Sequence, residues 1–277
     1  MVFFSTAGGT GRSTLAAEVA GGLAAGCWGD PAPRVALLDL DLRAPSTGIR
    51  LGLQGAGAGN LATDDVDGPA MEASLLRHES GARVLLSPSG DASPSGYAMV
   101  AARLFDFVDD SGFDLAVIDT ASGIDDLNTL VLENADEIFC VFSPTPTGLY
   151  DLYRGVATLR RMGHRAKVRC VANRVEGTPD LGEVTGDLRI PLVACIPASG
   201  AFRVAEELHQ VAVMDSDPAR RMLAPLARAV YPDLDTLSPV GHRMDRGAGY
   251  FSGTVPARRE WTRSRIPGVF SPVDVRA

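Results

Sequence analysis

Lysine is almost missing from this chain: Lys167 stands alone against 25 arginines. The bias reads as GC-rich codon usage, so a single arginine where lysine is usual carries little weight by itself. No apolar run reaches the roughly 20 residues that a membrane-spanning helix needs. No basic segment precedes the first apolar one, so a secretory leader is not expected and the cytoplasm is the expected location. Cys27, Cys140, Cys170 and Cys195 form no CxxC and no Cys/His pair at ligand spacing. The last three lie in apolar runs (IFCVF, VRCVAN, LVACIP), and buried thiols are expected. His78, His164, His209 and His242 are scattered and fit no metal or triad spacing. The formal net charge of −8 argues against general coating of nucleic acid.

What is present is ordinary for a globular protein: 277 residues, 45% apolar and 22% charged. That length supports one large domain with a two-faced core. Short β-rich runs at Val2–Ser5, Arg34–Leu38, Ala82–Leu86, Leu115–Asp119, Glu137–Phe142, Val168–Ala172 and Leu192–Ile196 are continuous rather than alternating. Strands buried on both faces read that way. Helix-length segments separate them. Ser13–Ala25 is Ala-rich, and Thr147–Met162 carries Leu149, Leu152, Tyr153, Val156, Leu159 and Met162 at helical spacing. Ser216–Tyr231 opens with Ser, Asp and Pro, a good N-terminal signal. The alternation predicts an α/β fold, a doubly wound and mostly parallel seven-stranded sheet with helices on both faces. Gln54–Pro69 and Ser87–Gly96 are rich in small and turn residues and are expected as surface loops. The domain is expected over 1–237. Residues 238–277 are rich in Arg, Gly and Pro, lack periodicity and are expected as a tail.

The strongest signal is FFSTAGGTGRSTLAAEVA at the first strand-to-helix junction. Gly8, Gly9, Thr10, Gly11, Arg12, Ser13 and Thr14 would bring backbone N–H groups and a helix N-terminus against phosphate oxygens. Arg12 adds a cation, and the Ser13 hydroxyl suits Mg²⁺. A plain glycine-rich turn is the blander reading, but the strand-loop-helix context favours a phosphate loop. The loop resembles the deviant Walker A motif of the MinD/ParA superfamily of P-loop ATPases, Lys-Gly-Gly-x-Gly-Lys-Ser/Thr-Thr. Gly8, Gly9, Gly11, Ser13 and Thr14 match. The family's signature lysine, which reaches the partner's nucleotide in an ATP-bound dimer, is Ala7 here, and the loop lysine is Arg12. Losing a trans cation should slow hydrolysis. A bulkier planar guanidinium differs from an ammonium in the same cradle.

The same resemblance assigns the acidic residues. In VALLDLDLRAPS, Asp41 matches the residue that orients the attacking water, with Asp39 supporting it near the metal. In DLAVIDTASGID, Asp119 ends a Walker B-like strand and would hold Mg²⁺ through water. Gly123 would hinge a switch loop that senses the γ-phosphate, with a helix over Ile124–Asn134 following it. In VANRVEG, Asn173 and Arg174 match an Asn-Arg pair that contacts adenine, although Asn at a strand end is also a common turn former. IPASGAFRVAEE resembles the segment that walls the base.

The wording is most similar to the CpaE/TadZ branch, in DLDLRAPSTGIRLGL, SLLRHESGARVLLSPSG and ADEIFCVFSPTPTGLYDLYR. That resemblance implies a switch that binds ATP and Mg²⁺, forms an ATP-linked homodimer, turns over slowly, and recruits or positions a pilus, secretion or cell-pole component. Such a partner would bring it to the membrane or cell pole. Two other readings stay open: a DNA-partitioning ATPase and a non-hydrolysing scaffold. Arg154, Arg160, Arg161, Arg165, Lys167, Arg169 and Arg174 would suit phosphate contacts on DNA or a solvated helix face. The tail's arginines with Trp261 and Phe270 would dock an anionic or protein surface or stay solvated, and its prolines disfavour an interfacial helix.

Overall fold

In the computed structural model, residues 1–53, 68–87 and 94–236 are described. The eight strands are β1 (Val2–Phe4), β2 (Val35–Leu40), β3 (Leu76–Arg77), β4 (Arg83–Leu85), β5 (Leu115–Thr120), β6 (Ile138–Phe142), β7 (Val168–Val175) and β8 (Leu192–Pro197). They form one sheet in the order β3-β4-β2-β5-β1-β6-β7-β8, and every pair is parallel except β3 with β4. The seven expected strands are all present. The eighth, β3, corrects the expected count. Leu76 is half-buried and Arg77 exposed, so the segment carries no apolar run, and the strand exists because His78 N–H to the Ala82 carbonyl (3.0 Å) folds it back on β4.

The continuous apolar runs do bury both faces. On β1, Val2 and Phe4 point into one core while Phe3 points into the other; β6 does the same with Ile138, Cys140 and Phe142 against Phe139 and Val141. Phe3 and Phe139 stack at 5.5 Å. Each such side chain contributes on the order of 1.5–3 kcal/mol by leaving water. The helices are α1 (Arg12–Ala24), α2 (Thr47–Arg50), α3 (Gly68–Ser74), α4 (Pro94–Asp110), α5 (Asp126–Asn134), α6 (Pro146–Arg161), α7 (Gly182–Leu188), α8 (Ala201–Glu207), α9 (Ala212–Asp215) and α10 (Asp217–Val230). α4 to α7 cover the first face; α1 and α8 to α10 cover the second. Ser216 caps α10 through the Ala219 N–H, and Thr145 caps α6 through Gly148.

Two expected loops are shorter than their composition implied, because Gly68–Pro69 opens α3 and Pro94–Gly96 opens α4. The remainder of those loops and the tail over 238–277, with Trp261, Phe270 and the nearby arginines, lie outside the described residues. Cys140 and Cys170 are buried, but Cys195 is exposed and Cys27 half-buried. Cys195 sits on β8, the edge strand, where one face is left open. Among the described residues, no helix is long and apolar enough to cross a membrane.

Candidate functional site

In an open parallel sheet, ligands meet the carboxyl ends of the strands. β1, β2, β5 and β7 bring their ends together here, with Asp39 beside Asp119 and Phe3 beside Asp119 in register. The glycine loop leaves β1 and enters α1. Gly9 (φ 74°) and Gly11 (φ 91°) hold left-handed backbone. A Cβ on Gly11 would also stand 2.3 Å from Asn173 Nδ2, so glycine is needed there on two counts. No side chain caps the N-terminus of α1, and no acidic residue occupies its first turn. Its amides and dipole are thus available to an anion. The loop is braced by Ser5 Oγ donating to the Ala7 carbonyl (2.6 Å), Thr10 Oγ1 to Ser5 Oγ (3.2 Å) and Thr6 Oγ1 to the Asp151 carbonyl (2.8 Å).

Four charged side chains are buried around this loop: Arg12, Asp39, Asp41 and Asp119. Arg12 donates to the Ser5 carbonyl (3.3 Å), and its Nη2 lies 3.9 Å from Asp41 Oδ2. Asp39 is committed to backbone, accepting the Asp41 N–H (3.1 Å) and the Thr47 N–H at the start of α2 (3.3 Å). Asp41 Oδ1 accepts from Arg43 and Ala44, leaving Oδ2 to face Arg12. Arg43 in turn pairs with Asp125, the N-cap of α5, at 2.9 Å. Burial first, with Asp41's charge adding to it, pushes Asp39 up to about 6 against the pull of its hydrogen bonds. Burial first and Asp39 second push Asp119 up to about 7, opposed by Ser13 and Arg12. Burial lowers Arg12, and Asp119 and Asp41 resist that.

Asp119 is fully buried, and neither of its oxygens makes a well-formed hydrogen bond. A buried carboxylate without donors fits a cation. Ser13 is close enough to favour its charge. Among the described residues, no three His, Cys, Asp or Glu side chains form a metal cage. The donor set instead suits Mg²⁺, which takes one or two protein oxygens and completes its shell with phosphate and water.

The structure therefore brings Gly8 to Thr14, Asp39, Asp41, Asp119 and Asn173 to one edge. Asn173 is buried and donates Nδ2 to the Thr10 carbonyl (2.8 Å), so in this structure it buttresses the loop from behind. Arg174 follows it with left-handed backbone (φ 56°) and an exposed side chain. Gly123 (φ 86°) donates to the Ser5 carbonyl at 3.0 Å. Sequence reasoning missed Asn128 on α5, which is fully buried and reaches the loop at Gly123; an Asn inside a helical segment gives no signal.

Solved structures share this architecture over most of their length. The MinC:MinD cell division complex of Aquifex aeolicus aligns with TM-score 0.69 at 17% identity, covering 93% of this chain and 98% of that one. The chain has the MinD/ParA fold. MinD of Pyrococcus horikoshii, solved with Mg-ADP, aligns with TM-score 0.68 at 19% identity over 83% of this chain and 94% of its own. Among curated proteins, the antiactivator FleN of Pseudomonas aeruginosa is 28% identical over 256 residues, 85% of this chain and 87% of FleN. An uncharacterized ATP-binding protein of Methanocaldococcus jannaschii is 24% identical over 208 residues, 72% of this chain and 74% of its own. No family model matches the chain.

Proposed function

We propose that this chain is an ATP-binding switch of the MinD/ParA type. One observation carries the reading: a glycine loop with uncapped helix amides faces a buried carboxylate, Asp119, whose oxygens make no well-formed hydrogen bond and have only Ser13 nearby as a donor among the described residues. The loop would cradle the phosphates of ATP. Ser13 and Asp119 would hold Mg²⁺, Asp119 through water, and the ion would neutralise charge on the phosphates. Asp41 has an oxygen turned into the site and would orient the attacking water, while Asp39 fixes the loop that carries it. Asn173 would support the loop from the base side, with Arg174 beside it. Turnover would be slow, because Ala7 offers no trans cation and Arg12 is committed to Ser5 and Asp41.

The output would be binding. All five exposed large apolar side chains among the described residues, Ile49, Ile124, Tyr150, Val204 and Leu208, lie on segments that follow β2, β5, β6 and β8. The phosphate loop likewise follows a strand, β1, and these exposed apolar side chains support an ATP-linked homodimer. Similarity to an antiactivator, and to MinD seen in complex with MinC, supports recruitment of a protein partner. The CpaE-like wording supports a partner that belongs to a pilus, secretion or polar machine. A DNA-partitioning role draws support from Arg154, Arg161 and Arg165, which are exposed and lack a carboxylate within ion-pair distance among the described residues. The net charge of −8 opposes it, and a salt-sensitive DNA shift is its test.

Calorimetry with ATP, with and without Mg²⁺, on the protein and on Asp119→Ala tests the main reading, with solution mass followed in parallel. Mg²⁺-dependent binding that Asp119→Ala loses, with a shift to dimer, is the expected result. No binding at millimolar ATP refutes it and leaves a scaffold.

A further inference from the structure

The loop after Asp119 is held by a side chain that no motif marks. Asn128 sends Nδ2 to two carbonyls, Ala121 at 3.1 Å and Gly123 at 2.8 Å. One amide thereby fixes the peptide planes Ala121–Ser122 and Gly123–Ile124, before and after the turn residues Ser122 and Gly123. An amide nitrogen has two hydrogens, and both are used. The orientation is forced, because an amide oxygen turned toward two carbonyls would be repelled. Oδ1 points away from both carbonyls and is buried without a protein partner. On the other side of the loop, the Gly123 N–H goes to the Ser5 carbonyl at 3.0 Å, and Arg12 Nη1 goes to that same oxygen at 3.3 Å. The loop amide and the phosphate-loop cation meet on one acceptor, and each is committed to protein.

We propose that Asn128 is a positioning residue that clamps Ala121–Gly123 in the setting seen here, with Gly123 and Arg12 both held on the Ser5 carbonyl, and that this clamp sets how well the site separates a nucleoside triphosphate from a diphosphate. The proposal rests on the nucleotide reading above and adds its regulation. The oxygens of a third phosphate compete with the Ser5 carbonyl for the Gly123 N–H and for Arg12. Drawing Gly123 away breaks the bond between its carbonyl and Asn128. The loop thus has one setting with the Asn128–Gly123 bond made and one with it broken. A diphosphate lacks the competing oxygens and leaves the first setting in place.

The test compares affinities of the full chain and Asn128→Ala for Mg-ADP and for Mg²⁺ with a non-hydrolysable ATP analogue. Hydrogen exchange at the Gly123 amide is followed without nucleotide. Asn128→Ala is expected to bind the analogue about three- to tenfold tighter, the worth of one net hydrogen bond removed from the clamped setting. Its ADP affinity is expected to stay within about twofold, because ADP leaves that setting in place. Gly123 is expected to exchange faster. Asn128→Ser carries the same comparison if the alanine variant does not fold. Equal changes for both nucleotides, or an unchanged ratio, overturn the clamp and leave a structural asparagine. No binding of either nucleotide by the unaltered protein overturns the nucleotide reading and the clamp together.

Discussion

Asp119→Asn isolates what it costs to keep an ionisable carboxylate at the centre of this site. Burial first, and Asp39 next, push Asp119 up to about 7, whereas an unfolded Asp titrates near 3.9. Between those values the folded chain holds a proton that the unfolded chain has lost. Stability contributed by this residue therefore falls as pH rises through that window and is lowest above pH 7. About three pH units at ~1.4 kcal/mol each bound the effect at ~4 kcal/mol. Neither carboxylate oxygen makes a well-formed hydrogen bond, so an isosteric amide gives none up. Urea unfolding of the ligand-free protein and the variant at pH 5 and pH 8 measures the difference. The variant's advantage should grow by ~2–3 kcal/mol between those pH values, since part of the effect is already present at pH 5. Glu18, raised, and the buried Met1 amine, lowered to about 6, also tilt the curves, but they are common to both proteins and cancel in the comparison. Asp39 is coupled to Asp119, so the variant also relieves part of its upward displacement, which adds to the difference in the same direction. The same variant should lose the Mg²⁺-dependent part of ATP binding, by about tenfold or more. Parallel pH curves for the two proteins would refute the reasoning, because they would mean that Asp119 titrates alike folded and unfolded.

Gly11→Ala combines a left-handed residue with a Cβ 2.3 Å from Asn173 Nδ2, and thermal melts should show a loss of ~1–3 kcal/mol. Adding Asn173→Ala should restore part of it; no recovery would place the whole cost in the backbone. Arg12→Lys together with Ala7→Lys should raise phosphate release about tenfold or more, and an unchanged rate would show that the missing lysines do not limit turnover. Glu18→Ala strands the Ala212 and Val213 N–H groups, which the carboxylate accepts at 3.0 and 3.1 Å, and should cost ~1–3 kcal/mol. Burial pushes Glu18 up to about 7, so its contribution is lost as pH rises through 7, and the measured penalty should be smaller at pH 8 than at pH 6.

The legible parts of this protein are those where one residue type answers to one local requirement. Runs such as VALLDL and IFCVF are apolar at every position because both faces of their strands are covered. The glycines at 9 and 11 answer to positive φ. The aspartates at 39, 41 and 119 stand where strands end beside that loop. What stayed hidden depends on partners far away in sequence. Leu76–Arg77 becomes a strand only because β4 accepts it, and Cys195 is exposed only because β8 is an edge. Asn173 was marked by its motif, but its bond to Thr10 crosses 163 residues, and no spacing rule points there. Asn128 was invisible for the same reason: its partners are the carbonyls of a turn whose path the sequence leaves open.

Arg12 ties these observations into one energetic account. Three buried carboxylates share a single buried cation, so the ligand-free site holds more negative charge than its own side chains can balance. Protonation is one relief, and the upward displacement of Asp39 and Asp119 expresses it. The guanidinium is the other, and its planar fork addresses the Ser5 carbonyl and the Asp41 carboxylate from two nitrogens at once. A lysine ammonium in that position is a point charge and is freer to follow a phosphate. Arginine thus stabilises the ligand-free state more than lysine would, and a ligand must overcome that difference before the cation can serve it. On the proposed reading, Ser13 and Asp119 would hold Mg²⁺, whose two positive charges would offset the imbalance, and Arg12 would be free to leave Ser5 for phosphate. Arg12 and the Gly123 N–H share the Ser5 carbonyl, so a ligand that drew Arg12 away would also bear on the loop at Gly123.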